Sequence, residues 1–230
     1  MANSPFEAFA RDYRASAASG VDLMWPSETL VRCLKGSYIP GLDRDYRGKS
    51  LLDMGFGNGN NLPLYHSLGA AIHGVEVNAE ICALAAEKLD LLGCKADLRV
   101  GTNTAIPYPD DTFDYLVSWN VIHYTDNEAE MQASIKEYRR VLKPGGRFFI
   151  STTGPEHLIL DGAETVGCHL YRIGREDDFR KGSVYFYFDA ANYIHYYFDP
   201  HFDDVLVGRT HDQLFTATLD WFVITGCKPR

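Results

Sequence analysis

The sequence predicts an α/β fold, with a mostly parallel sheet carrying helices on both faces. Three observations predict it. Between residues 49 and 153, short apolar runs alternate with amphipathic stretches of helical period, the pattern of repeated strand–helix units. The first run, Leu51-Leu52, passes Asp53 and breaks into a turn containing Gly55, Gly57 and Gly59. The second run ends in an acid, Glu76.

Each element has a local reason. Phe6, Phe9, Ala10, Tyr13 and Ala17 recur at helical steps, predicting a helix over residues 4–18. After Trp25-Pro26, Ser27 is an N-cap for a helix burying Leu30, Val31 and Leu34. Residues 40–48 are a polar connector to the first strand. In the glycine turn, glycine supplies positive φ and lets the backbone approach a ligand. The short helix after Asn60 offers unpaired N–H groups at its start. Residues 71–76 form the second strand. Asn78 caps a helix with the stripe Ile81, Leu84, Ala85 and Leu89. Residues 96–100 form the third strand and 113–118 the fourth. Asp126 opens a helix with Met131, Ile135, Tyr138 and Leu142 inward, stopped by Lys143-Pro-Gly-Gly146. Residues 147–152 form the fifth strand. Residues 168–172 and 183–188 read as a hairpin around the charged turn 175–182. Asp189 caps a helix over 190–198, and 205–207 and 217–225 close the chain as strands.

Composition narrows the function classes. The net charge of −9 argues against non-specific nucleic-acid binding, which needs Lys and Arg to neutralise phosphates. Five scattered cysteines make no Cys-x-x-Cys pair or Cys/His cluster, so neither a disulfide framework nor a metal site is expected. No apolar run reaches membrane-spanning length, and no signal-peptide pattern opens the chain. A cytoplasmic protein is the expectation, with no membrane partner. Tyr and Phe crowd between Tyr185 and Phe202, suiting either a pocket wall or plain packing.

The glycine turn distinguishes two cofactor classes. A dinucleotide site wants G-x-G-x-x-G with a pyrophosphate on the helix N-terminus. Here the spacing is G-x-G-x-G, and Asp53 stands two residues before the first glycine. A carboxylate there opposes a pyrophosphate and suits a cation. The pattern resembles the first motif of the class I S-adenosylmethionine-dependent methyltransferases. The resemblance extends to Glu76 at the second strand end, to Ile106-Pro-Tyr-Pro-Asp-Asp-Thr-Phe-Asp114, and to Lys143-Pro-Gly-Gly146. It is close over residues 49–153 and in outline elsewhere.

That resemblance implies a Rossmann-like sheet of seven strands with one strand antiparallel. It implies one methyltransferase domain over 1–230: an N-terminal helical lid (1–40), a cofactor-binding core (49–153), a substrate-side insertion (154–188) and a C-terminal helix and strands (189–230). The implied cofactor is S-adenosyl-L-methionine. Asp53, Gly55, Gly57 and Gly59 would hold its methionine part, Glu76 and Val77 its ribose side, and Tyr13 and Trp25 would cover it. Asn120, at the fourth-strand exit, completes the set. In the family an acid beside the adenine often follows the third strand. Here Thr102 takes its place, leaving Thr102 and Asn103 as the adenine partners.

Ligands of doubly wound sheets bind outside the carboxyl ends of the strands, so the fourth-strand exit should face the transferred methyl. His123 is the best candidate base, since an imidazole titrates near neutrality, and Tyr124 is placed to position the acceptor. His157, His169 and His195 lie in the variable half as weaker candidates. The exit Ser118-Trp119-Asn120-Val121 lacks the Asn/Asp-Pro-Pro-aromatic pattern of enzymes that methylate exocyclic amines of nucleic-acid bases or glutamine amides. The expected activity is methyl transfer to a small molecule. The alternatives are a non-catalytic S-adenosylmethionine-binding partner subunit and an NAD(P)-dependent oxidoreductase. Oligomeric state is not legible in the sequence.

Overall fold

The computed structural model describes Arg11, Arg14, Ala15 and residues 25–230. Those first three are helical and fall inside the helix expected over 4–18. Tyr13 and the remainder of that helix lie outside the described residues.

Seven strands form the main sheet: β1 (Ser50–Met54), β2 (Ala71–Glu76), β3 (Ala96–Val100), β4 (Phe113–Trp119), β5 (Leu142–Thr153), β9 (Asp203–Leu214) and β10 (Ala217–Cys227). Their order is β3-β2-β1-β4-β5-β10-β9. The pairs among β1 to β5 are parallel. β10 runs antiparallel to both β5 and β9, so it is the one reversed strand, as expected. The chain leaves β1 towards β3, then returns to place β4 on the other side of β1. The carboxyl ends of β1 and β4 therefore diverge at a switch point, where such sheets open a crevice.

Side chains alternate across a strand, and the central strands feed two cores. Leu52, Leu116, Phe148 and Ile150 enter one core with Met131, Ile135 and Phe198. Leu51, Val117 and Phe149 enter the other with Leu30, Leu62, Ile81 and Leu89. The helices α1 (Glu28–Lys35), α2 (Leu62–Ser67) and α3 (Ala79–Leu91) cover the second face. α4 (Glu128–Val141) and α5 (Ala191–Phe198) cover the first.

Several boundaries differ from the sequence reading. α4 starts two residues later than Asp126, because Asn127 is the cap, accepting from the Glu130 N–H at 2.9 Å. Lys143-Pro-Gly-Gly146 is part of β5; Gly145 at φ +79° turns its N–H to the Lys228 carbonyl. The insertion holds three strands rather than two: β6 (Glu164–Gly167), β7 (Leu170–Arg172) and β8 (Val184–Phe186), in a separate antiparallel sheet. β6 is mostly solvent-exposed, so it shows no apolar alternation. Asp189 does not cap α5. Its carboxylate receives His169 Nδ1 at 2.7 Å and the Tyr171 hydroxyl, tying helix to insertion. β9 is far longer than residues 205–207, its exposed polar residues masking the strand in the sequence.

Asn78 holds the start of α3 beside the end of β2, its Oδ1 accepting from the Glu80 and Ile81 N–H groups at 2.8 and 3.2 Å. Asn78→Ala should lower unfolding free energy by about 1 kcal/mol, read by urea denaturation; an unchanged midpoint would contradict the cap.

Candidate functional site

A cleft of about 960 Å³ runs along the carboxyl ends of β1, β2, β3 and β4. Its floor is the glycine turn. Gly55, Gly57 and Gly59 have φ of +61°, +54° and +82°, a region that side chains other than glycine rarely enter. A Cβ on Gly55 would also lie 2.6 Å from both methyls of Val121. Gly55 and Gly57 line the cleft. Gly59 does not; it turns the chain into α2, donating to the Phe56 carbonyl and accepting from the Leu62 N–H.

Glu76 is 8% exposed and held from two sides. Gly57 N–H donates to its Oε2 at 3.1 Å and Val77 N–H to its Oε1 at 2.8 Å. Burial pushes its carboxyl above the usual range, against the pull of those backbone bonds. A carboxylate offers about four lone-pair positions, more than these backbone donors fill, and Glu76 lines the cleft. Asp53 is 1% exposed and accepts from the Tyr65 hydroxyl at 3.0 Å. Burial pushes it up to about 7, the Tyr65 bond pulling the other way. Tyr65 was invisible as a site residue in the sequence, because an aromatic on a short helix reads as core. Asn61 Oδ1 accepts from the Ser27 N–H at 3.0 Å, joining the start of α1 to the turn.

Val77, Thr102, Asn103 and Asn120 also line the cleft, and Trp25 stands at its edge, 73% exposed. Asn120 sits at φ +60°. Its N–H reaches the Ser151 carbonyl at 3.1 Å and Ser151 Oγ at 2.9 Å, while Ser151 Oγ donates back to Asn120 Oδ1. This ties the β4 exit to β5.

The histidines do not behave as the sequence suggested. His123 is 2% exposed and off the cleft wall. Its ring packs between Tyr124 and Tyr187, with centroids at 4.5 and 5.4 Å, and Nδ1 lies 3.3 Å from Thr152 Oγ1. Burial, helped by Arg180 and His157, pushes it down to about 3. His123 is thus enclosed by rings and held neutral by its burial. His157 Nδ1 accepts from the Ile159 N–H at 3.1 Å, and burial pushes it down to about 4. His169 is bound to Asp189, and His195 Nδ1 lies 3.1 Å from Asp199. None of these three lines the cleft.

Tyr124 does line it. Its hydroxyl accepts from Arg180 Nη1 at 3.1 Å, and Arg180 grips Asp178 through Nε and Nη2 at 2.8 and 2.7 Å. Tyr185 meets Tyr124 edge-on at 5.0 Å and also faces the cleft. Arg180 and Tyr185, with Asp126 and Glu130 on the wall, were not singled out from the sequence. Elsewhere, Glu156, His211 and Asp220 bring ligand-type atoms within 4.8 Å. Arg209 donates to both Asp220 oxygens at 2.6 and 2.9 Å and to Glu156, so this cluster is an ion-pair network.

Residues 52–150 match a family model described as a methyltransferase domain. The chain is 32% identical over 106 residues to a phosphatidylethanolamine N-methyltransferase of Cereibacter sphaeroides, covering 45% of this chain and 50% of that protein. It is 32% identical over 103 residues to a probable tRNA methyltransferase 9B of Homo sapiens, covering 45% of this chain and 21% of the relative. The chain thus spans half or less of the length of these relatives. A SAM-dependent methyltransferase of Methanosarcina mazei shares the fold, with a TM-score of 0.68 at 20% identity over 89% of this chain and 99% of the other.

Residues 52–150 are thus a methyltransferase domain, set in the fold of an S-adenosylmethionine-dependent methyltransferase, and the cofactor this points to is S-adenosylmethionine. The residues fit that group. Two buried carboxylates, Asp53 and Glu76, face a ligand with an ammonium, a sulfonium and ribose hydroxyls. The glycine turn leaves a cradle that a Cβ at Gly55 would fill.

Two outcomes test the site. Gly57→Ala and Glu76→Ala should each weaken S-adenosylmethionine binding at least about tenfold in calorimetry, with circular dichroism unchanged; wild-type affinity in both would refute the placement. Asp53 keeps its proton up to about pH 7 when folded but releases it near 3.9 when unfolded. Its burial therefore costs stability that grows as pH rises between those values and is fully present above the higher one. Asp53→Asn should raise the melting temperature at pH 8 while weakening cofactor binding, and wild-type cofactor affinity should fall as pH drops below about 7. A pH-independent affinity would count against Asp53 as the cation partner.

Proposed function

We propose that the protein transfers a methyl group from S-adenosylmethionine to a small, neutral or cationic acceptor. The observation that carries this reading is the charge of the cleft wall. Among the described residues it holds four carboxylates, Asp53, Glu76, Asp126 and Glu130, and no Lys, Arg or His. A phosphate-rich acceptor would meet like charge there, whereas nucleic-acid binding rests on neutralising phosphates with Lys and Arg. This favours a small acceptor over the tRNA that one relative's name carries.

When bound, S-adenosylmethionine supplies a methyl group on a sulfonium, whose displacement leaves a neutral thioether. The protein's task is then orientation, a contribution of about 7–11 kcal/mol in favourable cases. In this reading Asp53 and the Gly55–Gly57 turn seat the methionine end, and Glu76 accepts from the ribose. Asn120, Tyr124 and Tyr185 shape the acceptor end, with the insertion 154–188 forming its outer side. Arg180 holds the Tyr124 phenol in place. With His123 enclosed and held neutral by burial, this reading has an acceptor amine present its lone pair already free or shed its proton through the wall carboxylates.

Transfer of radiolabelled methyl should favour small amines over phosphorylated small molecules and tRNA; preferential labelling of tRNA would overturn the reading. His123→Asn should leave the shape of the pH–rate profile unchanged and lower kcat by less than about tenfold, since loss of a true general base costs roughly 100-fold or more. Loss of the lower-pH limb in that variant would restore His123 as the base.

A further inference from the structure

The order of groups in the cofactor places its base. With the methionine end at Asp53 on β1 and the ribose at Glu76 on β2, the base lies beyond, against the loop after β3. That loop is tied to β2 by the Gly101 N–H, which donates to the Glu76 carbonyl at 3.0 Å. Thr102, Asn103 and Thr104 line the cleft there. Thr102 Oγ1 is paired with Thr104 Oγ1 at 3.2 Å.

Asn103 is held from behind. The Tyr138 hydroxyl donates to Asn103 Oδ1 at 2.8 Å, and Ser118 Oγ lies 2.9 Å from the same hydroxyl. A phenol has one proton to give. With that proton on Asn103, Ser118 must be the donor to Tyr138. Tyr138 and Ser118 are both fully buried, at 0% exposure, so water does not compete for the bond between them, while Asn103 stands at the cleft. The relay Ser118–Tyr138–Asn103 thus occupies the amide oxygen and fixes which end of the amide the cleft meets.

We propose that Tyr138 is a positioning residue for base recognition: by holding Asn103 Oδ1, it turns the Asn103 amide nitrogen to the cleft as a donor to adenine N1. This rests on the cofactor placement given above. Adenine N1 is an acceptor, so donor meets acceptor. In hypoxanthine N1 carries a proton, so the same amide would oppose donor with donor. The device therefore selects adenine from a residue, Tyr138 on α4, that does not itself line the cleft. It also accounts for Thr102 standing where relatives of this family often carry an acid: the base is read here through its ring nitrogen.

The test is calorimetric binding of S-adenosylhomocysteine and its deaminated analogue S-inosylhomocysteine to the whole chain. The wild type should prefer the adenosyl ligand by on the order of tenfold, the effect of one unpaired polar group. Tyr138→Phe frees the amide to rotate and should bring the ratio near parity, chiefly by tightening the inosyl ligand. Asn103→Asp, on the surface loop, replaces the donor by an acceptor and should reverse the preference; it serves if Tyr138→Phe melts too early to assay. A merely structural role for Tyr138 would weaken both ligands alike and leave the ratio at its wild-type value. That result, or a wild-type ratio of one, overturns the proposal. A wild type that binds neither ligand overturns the cofactor placement itself.

Discussion

The structure depends on one buried carboxylate. Glu76 ends β2, yet its oxygens are held by N–H groups from the turn after β1 and from its own strand exit, Gly57 and Val77. The Gly57 bond is possible because that residue adopts φ +54°. A side chain at this position would be strained, and the N–H would swing away from Glu76. The same bond locks the mouth of β1 against the mouth of β2. Removing either partner would leave a buried polar group unanswered, at a cost of about 1–3 kcal/mol. Binding geometry and local stability are therefore one constraint.

The electrostatics follow from burial. Asp53 and Glu76 are both raised by desolvation, which makes the cleft a costly place for negative charge and a favourable one for a cation. The protein's nearby cations are kept elsewhere. Arg180 is clamped by Asp178 behind Tyr124, and Arg209 is spent on Asp220 and Glu156. His123 is neutral because it is enclosed by rings. In the proposed reading the acceptor end is consequently built of phenols, an amide and surface carboxylates, a set suited to orienting an uncharged or cationic group.

The two halves of the site differed in how far the sequence revealed them. Asp53, Gly55, Gly57 and Glu76 sit at fixed offsets from apolar runs, because strand ends and tight turns impose local conformational rules. Those rules survive any packing of the rest. Tyr65, Tyr138, Arg180 and Tyr185 follow no such rule. Each acts through a partner distant in the chain: Asp53, Asn103, Tyr124 and Tyr124 respectively. Gly59 and His123 have residue types that suit a site, and only packing shows that one enters a helix and the other sits in an aromatic cluster.

The sequence by itself determined the alternation of strands and helices, the glycine turn and the acids that end β1 and β2. All of these are set by hydrophobic periodicity and by the φ that glycine alone accepts easily. Tertiary structure decided the rest. It chose which carboxylates share a wall without a cation, which histidine loses its proton to burial, and which buried phenol orients an amide 35 residues away in the chain. Burial and the direction of a hydrogen bond belong to neighbours brought together by folding, and neither is written in the spacing of residues.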